Sequence, residues 1–186
     1  MTADWPASPF WAFSLRVYSQ PDVERCCLTL QDEHGLDVNL VLLATWAAGT
    51  GRVLDPTLAA RLRQISDDYQ ASVMRPLRQA RRALKSQPVT ATLSPILADR
   101  RQALLALELD LERLEQVQLE ALAGPVTCDA EASGDALLAA NLAALYPEQP
   151  VPMMALAVLA TLLPAEEPDR QRMSLPQQQV ANKTNG

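Results

Sequence analysis

The chain has 186 residues, 48% of them hydrophobic, and a net charge of −6. That is enough for one domain with its own core. Ten Lys/Arg face nine Asp/Glu in residues 1–90, but only six face thirteen in 91–186, so the second half repels nucleic acid and any polyanion would have to meet a basic patch in the first. The most apolar run, VPMMALAVLATLLP at 151–164, is shorter than the roughly 18 residues a membrane span needs. MTADWPASPFW shows no basic segment followed by an apolar one. The odd set Cys26, Cys27 and Cys128 suits free thiols in a reducing compartment. The expectation is a cytoplasmic protein.

Ser8-Pro9 opens a first helix over about 9–18, with serine as cap and proline at a position that needs no N–H. Ser19 and Asp22 have capping-box spacing for a second helix over about 20–33, with Val23, Cys27 and Leu30 inward. Gly35 supplies a left-handed turn. Asp37 caps a third helix, VNLVLLATWAA, and Leu36 and Val41 have the spacing of a hydrophobic staple. This helix has almost no polar face and is expected at the centre of the domain.

Asp55-Pro56 starts a fourth helix to about 65, and another runs from about 67 to 85. Pro76 predicts a kink or break near 72–76. After the linker 85–95, Ser94-Pro95 begins the longest helix, ending at Gly124-Pro125. Its leucines 97, 104, 107, 111 and 114 form a stripe, with Glu108, Glu112 and Glu115 expected on the outside. Two short helices follow, over about 134–146 and 151–163, and then a polar tail, 164–186, expected to be disordered. The fold class is all-α: one helical-bundle-like domain over 1–163, of about seven or eight helices.

The stretches FWAFSLRVYSQPDVERCCLTLQDEHGLDVNLVLLATWAAG at 10–49 and VMRPLRQARRALK at 73–85 carry a resemblance. Over about residues 8–86 the chain resembles a bacterial family of unknown function, DUF2390; residues 94–163 match it only loosely. Asp22 stands where members commonly have Gly, and Tyr69 near a position where they often have Trp. The resemblance implies a helical cytoplasmic protein and brings no reaction, substrate or cofactor.

QDEHGLDVN at 31–39 holds the chain's one histidine and three carboxylates. No H-x-x-x-H, E-x-x-H or D-x-x-x-D spacing accompanies them, so no metal site and no cofactor is expected. His34 suits a helix C-terminus and Asp37 a cap. A buried Asn39 needs partners, expected in the second helix or a backbone carbonyl. No nucleophile–base pair stands out, which makes an enzyme the less favoured reading.

Arg75, Arg78, Arg82 and Lys85, spaced 3, 4 and 3, line one side of a helix, with Arg81 beside them. Such a stripe is compensated by carboxylates of the same chain, by an acidic protein partner or by a bound anion. Two functional readings follow. One is a non-enzymatic protein-binding or regulatory module using the Arg face. The other is an enzyme or sensor for a small phosphate- or carboxylate-bearing ligand, supported by Asp37, Asn39 and His34. A homodimer through the helix 96–123 is a separate expectation.

Overall fold

The computed structural model describes residues 4–124 and 134–164. The expected tail beyond 164, the 125–133 loop and Cys128 lie outside the described residues. Among those described there are only helices: α1 (Pro9–Tyr18), α2 (Pro21–His34), α3 (Val38–Gly49), α4 (Pro56–Tyr69), α5 (Arg75–Lys85), α6 (Ser94–Ala123), α7 (Asp135–Leu145) and α8 (Met153–Ala160). They form a single all-α domain. No helix among the described residues is long and apolar enough to cross a membrane.

α3 is the central element, as its composition requires. Every residue from Asn39 to Ala48 is buried, and α1, α2, α4, α6 and α7 all pack against it. The aromatic residues of α1 join this core: Phe10 and Phe13 are buried, and the Phe10 ring lies 5.5 Å from that of Trp46. Cys27 is fully buried, and burial pushes its thiol up to about 12, which removes it as a nucleophile at neutral pH.

The local grammar around α3 matches the residues. Gly35 sits at φ 65°, where L side chains are strained, and the Leu36 N–H reaches back to the Leu30 carbonyl at 3.0 Å. Asp37 Oδ1 accepts from the Asn39 and Leu40 N–H groups at 2.7 and 3.2 Å. Ser8 caps α1 in the same way, accepting from Trp11 N–H at 3.1 Å.

Three local expectations are corrected. Ser19 does not cap α2: it has helical dihedrals, closes α1, and donates to the Arg16 carbonyl at 2.8 Å. Gln20 is the N-cap and gives no side-chain bond, while Asp22 pairs with Arg25 at 2.5 Å in solvent. The chain does not break between 65 and 67 either. α4 runs on to Tyr69, and a π-helical segment, Gln70–Met74, joins it to α5 as one rod. Pro76 has no N–H for the ladder, and the wider π turn ahead of it absorbs the mismatch without ending the rod.

The third correction concerns the face α6 turns inward. Its buried residues are Glu108, Glu115, Gln116, Leu119 and Ala123, so Glu108 and Glu115, expected outside, lie inside. Leu107 and Leu114 are the exposed ones, at 44% and 46%. The reason is the partner surface. The helices across from α6 offer guanidinium, amide and hydroxyl donors, and α5 contributes no buried residue at all. A carboxylate facing these donors is satisfied, whereas a leucine there would leave them bare.

Candidate functional site

Two layers of polar side chains meet between α3, α4, α5 and α6. In the inner layer, Asn39 Nδ2 donates to Glu115 Oε2 at 2.7 Å, and Gln70 Nε2 donates to the same oxygen at 3.0 Å. Gln116 Nε2 donates to Asn39 Oδ1 at 2.8 Å. Asn39 therefore finds its partners on α6, where α2 or a backbone carbonyl had been expected. Gln70 reaches Glu115 because it lies one α turn after Ser66 on the same face of the rod, its N–H still bonded to the Ser66 carbonyl.

Ser66 stands between two carboxylates. Its Oγ lies 2.8 Å from Glu115 Oε1 and 3.2 Å from Asp37 Oδ2. One hydroxyl hydrogen cannot serve both oxygens, so the arrangement is complete when the pair holds one proton: Glu115 donates to Ser66, and Ser66 to Asp37. The electrostatics agree. Burial, and then the charge on Asp37, raise Glu115 to about 7, against the hydrogen bonds from Ser66, Asn39 and Gln70. Burial raises Asp37 as well, offset by its two cap bonds, by Ser66 and by Arg78. The Tyr146 hydroxyl closes this layer: it accepts from Asp37 N–H at 3.2 Å and donates to the Asp37 carbonyl at 3.3 Å.

The outer layer is an open cleft of about 1000 Å³. Asp37, Asn39, Gln116 and Tyr146 form part of its wall, Trp11, Ser14 and Tyr18 of α1 another part, and Arg75, Arg78, Arg81 and Arg82 of α5 a third. The Asp37–Asn39 cap and the arginine stripe thus share one cavity. The stripe itself is divided. Arg78 pairs with Glu112 at 2.5 Å and Arg81 with Glu108 at 2.7 Å, so α6 supplies half the compensation. Arg81, at the edge of the stripe by spacing, is the residue that neutralises a carboxylate only 7% exposed. Arg75 and Arg82 make no ion pair among the described residues, and Arg75 Nε only reaches the Gln70 carbonyl at 3.3 Å.

Lys85 and His34 do not line the cleft. His34 ends α2, and its carbonyl accepts from the Gln149 side chain. Sequence reasoning missed Ser66, Gln70, Gln116 and Tyr146. Arg63, on the helix before the stripe and expected to approach it, lines the same cleft and donates to the Leu145 carbonyl at 3.2 Å. A serine inside the α4 stripe of Ala59 and Leu62 was a visible sign of a buried hydroxyl. Two cleft-wall residues keep an oxygen without a partner: Ser14 Oγ and Gln116 Oε1, in side chains 3% exposed. Among the described residues no group of three or more His, Cys, Asp and Glu is placed to hold a metal ion.

A helical domain with a cleft walled by arginines over a carboxylate pair is the class this geometry defines. The family model for a protein of unknown function, DUF2390, matches residues 9–119, more than half the chain, and the protein belongs to that family. The match runs from the start of α1 into α6 and so includes Asp37, Ser66, the arginines and Glu115. No curated protein and no solved structure matches the chain.

Proposed function

We propose that the cleft binds a small anionic molecule bearing phosphate or carboxylate, and that the protein acts as a binding or sensing module. The observation that carries this is the position of Arg75 and Arg82. Both line the cleft and neither is neutralised by a carboxylate among the described residues. Guanidinium groups recognise phosphate and carboxylate through paired N–H donors. A volume of about 1000 Å³ suits a metabolite-sized ligand.

The rest of the wall refines the ligand. Asp67 and Glu148 also line the cleft, so a molecule with hydroxyl or amine donors away from its anionic end fits better than a bare anion. Trp11 and Leu109 add apolar wall. An acidic protein partner is the weaker reading, because Arg78 and Arg81 are already held by Glu112 and Glu108.

A thermal-shift screen tests this. Phosphorylated and polycarboxylate metabolites at millimolar concentration should include compounds that raise the unfolding temperature, while their uncharged analogues do nothing. Equal response to charged and uncharged compounds, or no response at all, contradicts the reading.

A further inference from the structure

The outer face of α6 carries a second pattern, separate from the cleft. Ile96, Arg100, Ala103, Leu107, Asp110 and Leu114 follow one another at steps of 4, 3, 4, 3 and 4, the spacing of a coiled-coil seam. All six are exposed: Ile96 is 54% exposed, Leu107 44% and Leu114 46%. The buried residues of α6 begin only at Glu108 and lie on another side of the helix. The stripe is about 27 Å long and open to water along its whole length.

The two charges in the seam identify its occupant. Asp110 makes no ion pair among the described residues, and Arg100 reaches only its neighbour Asp99, at 3.7 Å in full solvent. Two copies of α6 packed parallel and in register would set Arg100 against Arg100 and Asp110 against Asp110. Packed antiparallel about residue 105, they set Arg100 against Asp110 twice, Ile96 against Leu114 twice, and Ala103 against Leu107 twice. Small faces large, apolar faces apolar, and each charge meets its opposite. Sliding that pairing by one seam step sets Arg100 and Asp110 against apolar residues, so only one antiparallel register pairs both charges.

We infer that α6 joins two copies of this chain into an antiparallel, two-fold symmetric dimer through the Ile96–Leu114 face, with reciprocal Arg100–Asp110 pairs fixing the register. Self-complementarity of one patch is the requirement of a two-fold interface. The interface keeps Leu107 and Leu114 of the leucine stripe expected from sequence but not Leu97, Leu104 and Leu111, which are half-buried within their own subunit.

The experiment is light scattering of the full chain with three variants, each checked for folding by circular dichroism. The wild type should show twice the 20.3 kDa chain mass. Arg100→Asp and Asp110→Arg should each weaken the dimer at least tenfold by placing like charges in the seam. The double variant Arg100→Asp/Asp110→Arg should restore it. A monomeric wild type, a dimer indifferent to the single changes, or a double variant that stays monomeric overturns the inference. The substituted positions are solvent-exposed, so loss of folding is not expected to obscure the result; should one single variant unfold, Leu107→Glu takes its place in the comparison.

Discussion

Asn39 Nδ2 and Glu115 Oε2 lie 2.7 Å apart across 76 positions of sequence. This bond fixes the capped start of α3 to the middle of α6, and the cleft is built on the junction. Replacing Asn39 by Ala removes a donor from Glu115 and an acceptor from Gln116 in the same step. The expected loss is about 1–3 kcal/mol of stability, measured by urea unfolding at pH 8. A change within error would mean that the network is not formed in solution.

Glu115 gives the protein an unusual pH dependence. Its folded pKa, about 7, lies above the ordinary 4.5. The folded state thus binds the proton more tightly than the unfolded chain does. That contribution to stability is complete below about 4.5 and is lost as pH rises through 7. It amounts to something on the order of 3 kcal/mol. In Glu115→Gln the amide can donate to Ser66, as the protonated acid does, and still accept from Asn39 and Gln70. This variant should match or exceed the wild type at pH 8 and show a flatter stability profile between pH 5 and 8. A profile parallel to the wild type's would exclude Glu115 as the titrating group.

Adjacent arginines should behave differently. Arg81 covers the buried carboxylate of Glu108, at 2.7 Å, while Arg82 lines the cleft without an ion pair. Arg81→Ala is expected to cost roughly 1–3 kcal/mol, since it strands Glu108. Arg82→Ala should stay within about 0.5 kcal/mol of the wild type. Chemical denaturation of the pair checks this, and equal losses would contradict the division of the stripe.

Asn141 ties the segment between α3 and α4 to α7. It accepts from Leu54 N–H at 2.8 Å and donates to the Arg52 carbonyl at 3.0 Å, and it is fully buried. Asn141→Leu keeps the branching at Cγ, in a somewhat larger side chain, but leaves both backbone groups unpaired. It should destabilise by about 2–4 kcal/mol, read as a lower midpoint in urea, with the helical circular-dichroism signal intact before the transition.

What could be read in the sequence follows the range of the interactions. The Ser8, Asp37 and Asp55 caps and the Gly35 turn depend on neighbours within a few residues, and each forms where the spacing places it. The inner face of α6 depends on Asn39, Ser66 and Arg81, which lie 76, 49 and 27 positions away. The leucine spacing on α6 points to a different inner face, because periodicity counts apolar residues and is blind to donors on another helix. Ser19 misled for a simpler reason: it sits one residue early, inside the last turn of α1. The arginine stripe could be read as a stripe, but not its division, since Arg78 and Arg81 differ from Arg75 and Arg82 only in what α6 presents to them.

Anion binding by Arg75 and Arg82 in the cleft can be checked by one comparison. The unfolding temperature of the wild type and of the double variant Arg75→Glu/Arg82→Glu is measured against the same panel of phosphorylated and carboxylated metabolites. A ligand at about a hundred times its Kd adds about 2.7 kcal/mol, which in a chain of this size is roughly 5–10 °C. Such a shift is expected in the wild type for at least one compound, and none for that compound in the variant. Identical shifts in both proteins, or none in either, would contradict it.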